Sequence, residues 1–156
     1  SKGAFYYHFA NKEALLTQCY DYTLDQLERV ITHVEDIDAS PAARLDVAMR
    51  IIFSHQNSDQ GPLIHFNSIT ALPPDVRRRL LDRLSAVHTA METFMTAATA
   101  ASQFRALPPG IVIQLLTGAL NAAMDLNEWQ AIDAIDRSAI DYYALFFHGL
   151  APTAAP

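Results

Sequence analysis

Ser1-Lys2-Gly3-Ala4-Phe5-Tyr6-Tyr7-His8-Phe9-Ala10-Asn11-Lys12-Glu13-Ala14-Leu15-Leu16 opens the chain and differs in character from everything that follows. Lys2 and Lys12 are the only formal charges before Glu13, so residues 1–12 carry +2 within a chain of net charge −6. The remainder therefore stands at −8. An isolated positive end suits a phosphate-facing element, because phosphate contacts come from Lys, Arg, hydroxyls and helix N-termini. Tyr6, Tyr7 and His8 add donors long enough to reach a nucleic-acid backbone or a base edge.

Ser1, Lys2, Gly3, Phe5, Tyr6, His8, Phe9, Lys12, Glu13 and Leu15 together resemble the end of the helix-turn-helix in tetracycline-repressor-type (TetR-family) regulators. The match is specific but covers only about a tenth of the chain. The resemblance implies an all-α protein: a remnant of the helix-turn-helix over 1–11, a helical ligand-binding and dimerisation domain over 12–150, and a disordered tail over 151–156. It implies that Ser1 to Phe9 is the recognition helix and that Lys12 opens the next. It also implies DNA-binding roles for Ser1, Lys2, Gly3, Tyr6, Tyr7, His8 and Lys12. In the family two further helices precede this point, so the chain is expected to be part of a longer protein, mostly sensor with a stump of reader.

The composition fits one domain. The 156 residues are 51% hydrophobic, which excludes disorder for most of the length and permits a sizeable core. No apolar run approaches the ~20 residues of a membrane span, and no signal segment opens the chain. The single cysteine, Cys19, excludes a disulfide framework and a Cys-based zinc site, and it suits a reducing cytoplasm. A sequence pI near 5.3 argues against DNA binding by the bulk of the domain.

Every strong periodicity is helical. Asn11 is an N-cap for one long helix over 12–36, and Ser40-Pro41 caps a second. Asn57 to Gly61 breaks that helix, Pro62 to Ala71 reads as a short helix of about two turns, and Leu72-Pro73-Pro74 closes it. The longest helix runs from Pro74 or Asp75 to Gln103, Leu107-Pro-Pro-Gly110 is a turn, and the next helix reaches Trp129. The last runs from Asp133 to Gly149, a left-handed C-cap.

That last helix is apolar nearly all round, and its neighbour carries small residues. Gly118, Ala119, Ala122 and Ala123, with Tyr143, Phe146 and Phe147, are therefore read as a homodimer interface, the family's four-helix arrangement. The bland alternative is that both helices are central to a monomeric bundle.

His55, His65, His88, Asn121 and Asp125 lie among apolar residues, but their spacing matches no metal-ligand or nucleophile motif. They read as satisfied interior groups or as orienting groups in an apolar pocket. Tyr20, Met49, Phe53, His65, Phe66, His88, Met91, Met95, Asn121 and Trp129 form the candidate pocket set, with packing as the competing explanation. Arg77, Arg78, Arg79 and Arg83 read as a salt-bridged surface, with Asp75 and Asp82 as partners; a contact with the DNA-binding end is the alternative. No catalytic residue, cofactor or metal is expected.

Together these readings point to a one-component regulator, a repressor, whose partners are operator DNA, a second copy and a small apolar effector. The rivals are a helical enzyme or small-molecule binder without DNA function, and a purely structural dimerisation module.

Overall fold

The computed structural model describes residues 11–55, 63–126 and 149. Among them every regular element is helical: α1 (Lys12–Glu35), α2 (Pro41–His55), a 3₁₀ segment (Phe66–Ala71), α3 (Pro74–Ala100) and α4 (Pro109–Leu126). Ser1 to Ala10, the expected break over 57–61, Trp129, the expected last helix and the tail lie outside the described residues. Gly149 is helical rather than a left-handed cap.

The first two helices start at side-chain caps, and α3 and α4 start at prolines. Asn11 is extended and its side chain accepts the Ala14 N–H at 2.8 Å, a cap worth about 1 kcal/mol. Glu13 in the first turn and His33 in the last complement the helix dipole. Buried Tyr20, Thr23, Leu24, Val30, Ile31 and Val34 recur at helical spacing along α1. The start of α2 is capped twice: Ser40 Oγ accepts the Ala43 N–H at 3.3 Å, and Gln103 Oε1 accepts the Ala42 N–H at 3.1 Å. Pro41 costs nothing there, because first-turn amides have no intrahelical partner.

Three boundaries depart from expectation. Leu63, Ile64 and His65 belong to no helix, and the helix expected over Pro62–Ala71 is a six-residue 3₁₀ segment starting at Phe66. Leu72, held extended ahead of Pro73, stops it before an α-helix can propagate. α3 ends at Ala100 rather than Gln103, because Ser102 turns into the left-handed region at φ 55. The Ser102 and Gln103 amides then donate to the carbonyls of Thr99 and Ala98, at 3.0 and 2.9 Å, closing a Schellman motif. α4 begins inside the expected turn, with Pro109 as its first residue.

α1, α2 and α3 pack on one another, and α4 packs on α3. The larger core joins Val30 and Val34 to Leu45, Met49, Ile52, Phe53, Met91, Met95, Phe104, Val112, Ile113 and Leu116. A smaller cluster of Tyr20, Leu24, Ile69, Leu72 and Leu80 fills the end nearest the start of α1 and α3. There the Tyr20 ring stacks on Phe66 with centroids 4.7 Å apart. No described helix is long and apolar enough to cross a membrane.

Candidate functional site

A cavity of about 320 Å³ opens between the two clusters. α1 contributes Thr23 and Leu27, α2 Ile52, α3 Leu84, Val87, His88 and Met91, and α4 Ile113, Leu116, Thr117 and Asn121. The segment from Leu63 to Asn67 forms the remaining wall. It is pinned there because the Ile64 N–H donates to Thr23 Oγ1 at 3.1 Å, which also satisfies the one polar residue buried in α1. An irregular wall of this kind packs less closely than a helix against α1, and the space is what remains.

His65, Phe66, His88, Met91 and Asn121 of the candidate pocket set line this cavity. Tyr20, Met49, Phe53 and Met95 do not. They are at most 4% exposed, and the helical stripe carrying them points into helix–helix contacts, so they are packing residues. Trp129 lies outside the described residues. Leu27, Leu63, Leu84 and Val87 escaped the sequence reading because nothing distinguishes a cavity-wall leucine from a core leucine until the helices are placed.

Two further hollows adjoin the cavity. One, of similar size, shares Leu27, Ile52 and Leu63 with it and opens past Arg29, His33 and His55. Along that wall the Tyr22 hydroxyl and His55 Nε2 sit 3.2 Å apart. The other is a cleft along α3 and α4 that shares His88, Ile113, Thr117 and Asn121 and includes Glu92. Burial pushes the half-buried His88 imidazole below its ordinary value of 6.5, with Glu92 pulling the other way. Among the described residues no group of His, Cys, Asp and Glu could hold a metal ion.

On the outer side of the same helices two of the four arginines, Arg79 and Arg83, pair with carboxylates other than those expected. Arg83 reaches Asp21 at 2.8 Å, Asp25 at 2.6 Å and Glu28 at 2.7 Å, and Arg79 reaches Asp21 at 2.6 Å. Every one of these carboxylates lies on α1; Asp75 and Asp82, on the arginines' own helix, are not the partners. Packing of α1 against α3 brings the two rows together, a pairing no local spacing announces. The Arg79 hydrogen bond, followed by the charges of Arg79 and Arg83, holds the Asp21 carboxyl below its ordinary range.

α4 presents an open apolar face. Ile111 is 55% and Leu115 64% exposed, and a Cβ added at Gly118 would meet nothing within 4 Å. Ala119 is half-buried, and the side chains of Ala122 and Ala123 are outside the described residues, as are Tyr143, Phe146 and Phe147. Lys12 is exposed at the first position of α1.

No family model and no curated protein matches the chain. Solved structures do. AibR, crystallised with isovaleryl coenzyme A and operator DNA, is 22% identical, with a TM-score of 0.75 over 94% of this chain and 80% of its own. PfmR, a TetR-family transcriptional regulator from Thermus thermophilus, is 19% identical, with a TM-score of 0.74 over 97% and 84%. The regulator FadR from Bacillus subtilis, in complex with stearoyl-CoA, is 16% identical, with a TM-score of 0.63 over 96% and 82%. The chain thus has the all-helical fold of TetR-family regulators.

Proposed function

We propose that the chain is the sensor and dimerisation part of a one-component transcription regulator, a repressor, acting as a homodimer on operator DNA. The observation that carries this reading is the position of the cavity. It is walled by Thr23 and Leu27 of α1, the same helix whose cap, Asn11, follows directly on the helix-turn-helix motif. A ligand adding volume at Leu27 pushes on α1 there, while the ion pairs to Arg79 and Arg83 hold its turns from Asp21 to Glu28 against α3, so the helix moves as one piece. The N-terminal end of α1 then tilts. Two recognition helices in a dimer must match half-sites about 34–36 Å apart, so a small tilt in each subunit weakens simultaneous docking. The ligand acts by its differential affinity for the two states.

The effector in this reading is small and largely apolar. The acyl thioesters bound by AibR and FadR support an acyl-bearing molecule as its class. The exposed face of Ile111, Leu115 and Gly118 supports dimerisation through α4 and the helix expected after it. No catalytic step is assigned.

The test is DNA binding by the full-length protein, followed by fluorescence anisotropy with and without acyl ligands. Release of operator at ligand concentrations that also raise the melting temperature supports the reading; ligand binding with no effect on DNA favours a small-molecule binder without DNA function. Lys12→Ala should weaken operator and random DNA alike and lower the salt slope by about one unit. Ala122→Glu should convert a dimer to monomer in sedimentation, and a monomeric wild type at micromolar concentration would contradict the interface.

A further inference from the structure

The cavity is not uniform along its length. Leu27, Ile52 and Leu63 border one end, where it meets the hollow that opens past Arg29, His33 and His55, while His88, Thr117 and Asn121 border the other, where it meets the cleft along α3 and α4. Among the described residues no Lys, Arg, Asp or Glu lines it. Thr23 is engaged by the Ile64 amide, and the Thr117 hydroxyl donates to the Ile113 carbonyl at 2.9 Å. The side chains of Asn121 and His88, in contrast, have no hydrogen-bond partner among the described residues. A carboxamide offers two donors and an acceptor, and a neutral imidazole one of each.

A charged head brought to this end would meet no counter-ion in the lining, so whatever hydration it gives up there goes uncompensated. A carboxylate would in addition approach Glu92, which lies in the adjoining cleft. An uncharged head that donates and accepts suffers neither penalty. The cavity volume of about 320 Å³ corresponds to roughly ten waters at about 30 Å³ each, so the enclosed part of a ligand numbers on the order of ten non-hydrogen atoms.

Resting on the regulator reading above, we propose that the cavity selects an uncharged ligand: a short aliphatic chain with one neutral hydrogen-bonding head. The head sits between His88 and Asn121, and the chain runs toward Leu27, Ile52 and Leu63.

The experiment titrates the full-length protein at pH 7.5 with octanamide, octanoate and octylamine, three ligands of nearly equal size. Calorimetry and thermal shift read binding. Octanamide should bind at least about tenfold more tightly than octanoate, with octylamine weaker than octanamide. Asn121→Leu should weaken octanamide severalfold and leave octanoate unchanged, its ligand-free melting temperature reporting that the fold is retained. The wild-type ranking needs no variant and decides the matter by itself. Octanoate as tight as octanamide, octylamine the tightest of the three, or no binding by any of them overturns the neutral-head selection. None of these results touches the regulator reading, which fails separately, if no ligand changes DNA binding.

Discussion

The two ends of the α1–α3 seam are built on opposite principles. Near the start of α3, Tyr20, Leu24, Ile69, Leu72 and Leu80 fill the space, and Asp21, Asp25 and Glu28 reach across to Arg79 and Arg83. Further along α3, Leu84, Val87 and Met91 face a cavity that α1 borders with Thr23 and Leu27, with no charged side chain among the described lining. Filled packing and bidentate charge pairs fix one relative position of two helices. Non-directional contacts around empty space fix it less well. The contrast therefore runs along α3, from a filled and ion-paired start to a cavity wall, while on α1 the paired carboxylates and the cavity-facing residues share the same turns.

The largest test of this contrast compares Leu24→Ala with Leu27→Ala. Leu24 is fully buried in the filled end, and truncating it should cost about 2–5 kcal/mol in denaturant unfolding. Leu27 is only partly buried and borders existing space, so its truncation should cost about half as much or less. Equal costs would mean that the two ends are packed alike.

Arg83→Ala comes next. It removes the shared partner of Asp21, Asp25 and Glu28, leaving like charges on neighbouring turns of α1. A loss of about 1–2 kcal/mol at low salt is expected, shrinking at high ionic strength because the partners are partly exposed. A cost independent of salt would show that the aliphatic stem, not the charge, joins the helices.

Acidity separates the two ends in smaller steps. The folded pKa of His88 lies below 6.5, so the unfolded chain binds the extra proton first, and stability falls as pH drops through 6.5 toward the folded value. The Asp21 carboxyl is also depressed, so its contribution is present above its ordinary 3.8 and is lost as pH falls through its folded value. His88→Gln should flatten the upper window only, and Asp21→Asn the lower only, in melting temperature against pH. The smallest effect is expected at Ser102, remote in sequence from both ends. Ser102→Gly, at φ 55, should stabilise by about 0.5 kcal/mol and leave both windows unchanged.

Much of the fold was legible in the chain because its signals are local. Asn11, Ser40-Pro41 and the prolines at 73, 74, 108 and 109 act within a turn of where they stand, and they mark the helix starts to within a residue or two. Less of the cavity was legible. His65, His88 and Asn121 stand out as polar residues within apolar stripes, while Phe66 and Met91 differ from core residues only in being aromatic or sulfur-bearing. Leu27, Leu63 and Leu84 line the same space and carry no such mark, because whether a leucine meets a neighbour or a void depends on where another helix lies. The arginine row shows the same limit: its charge was plain, but its partners stand more than fifty positions earlier.

Gln103 sets an order of events during synthesis. Its side-chain carbonyl caps the start of α2 from 61 positions further along the chain, and it is held there by the left-handed turn that ends α3. As the polypeptide leaves the ribosome, α1 and α2 can coil early, but the first turn of α2 stays incompletely capped until the whole of α3 has emerged and reversed. A nascent chain arrested before that turn should expose the α2 N-terminus to proteolysis, and one arrested beyond it should not.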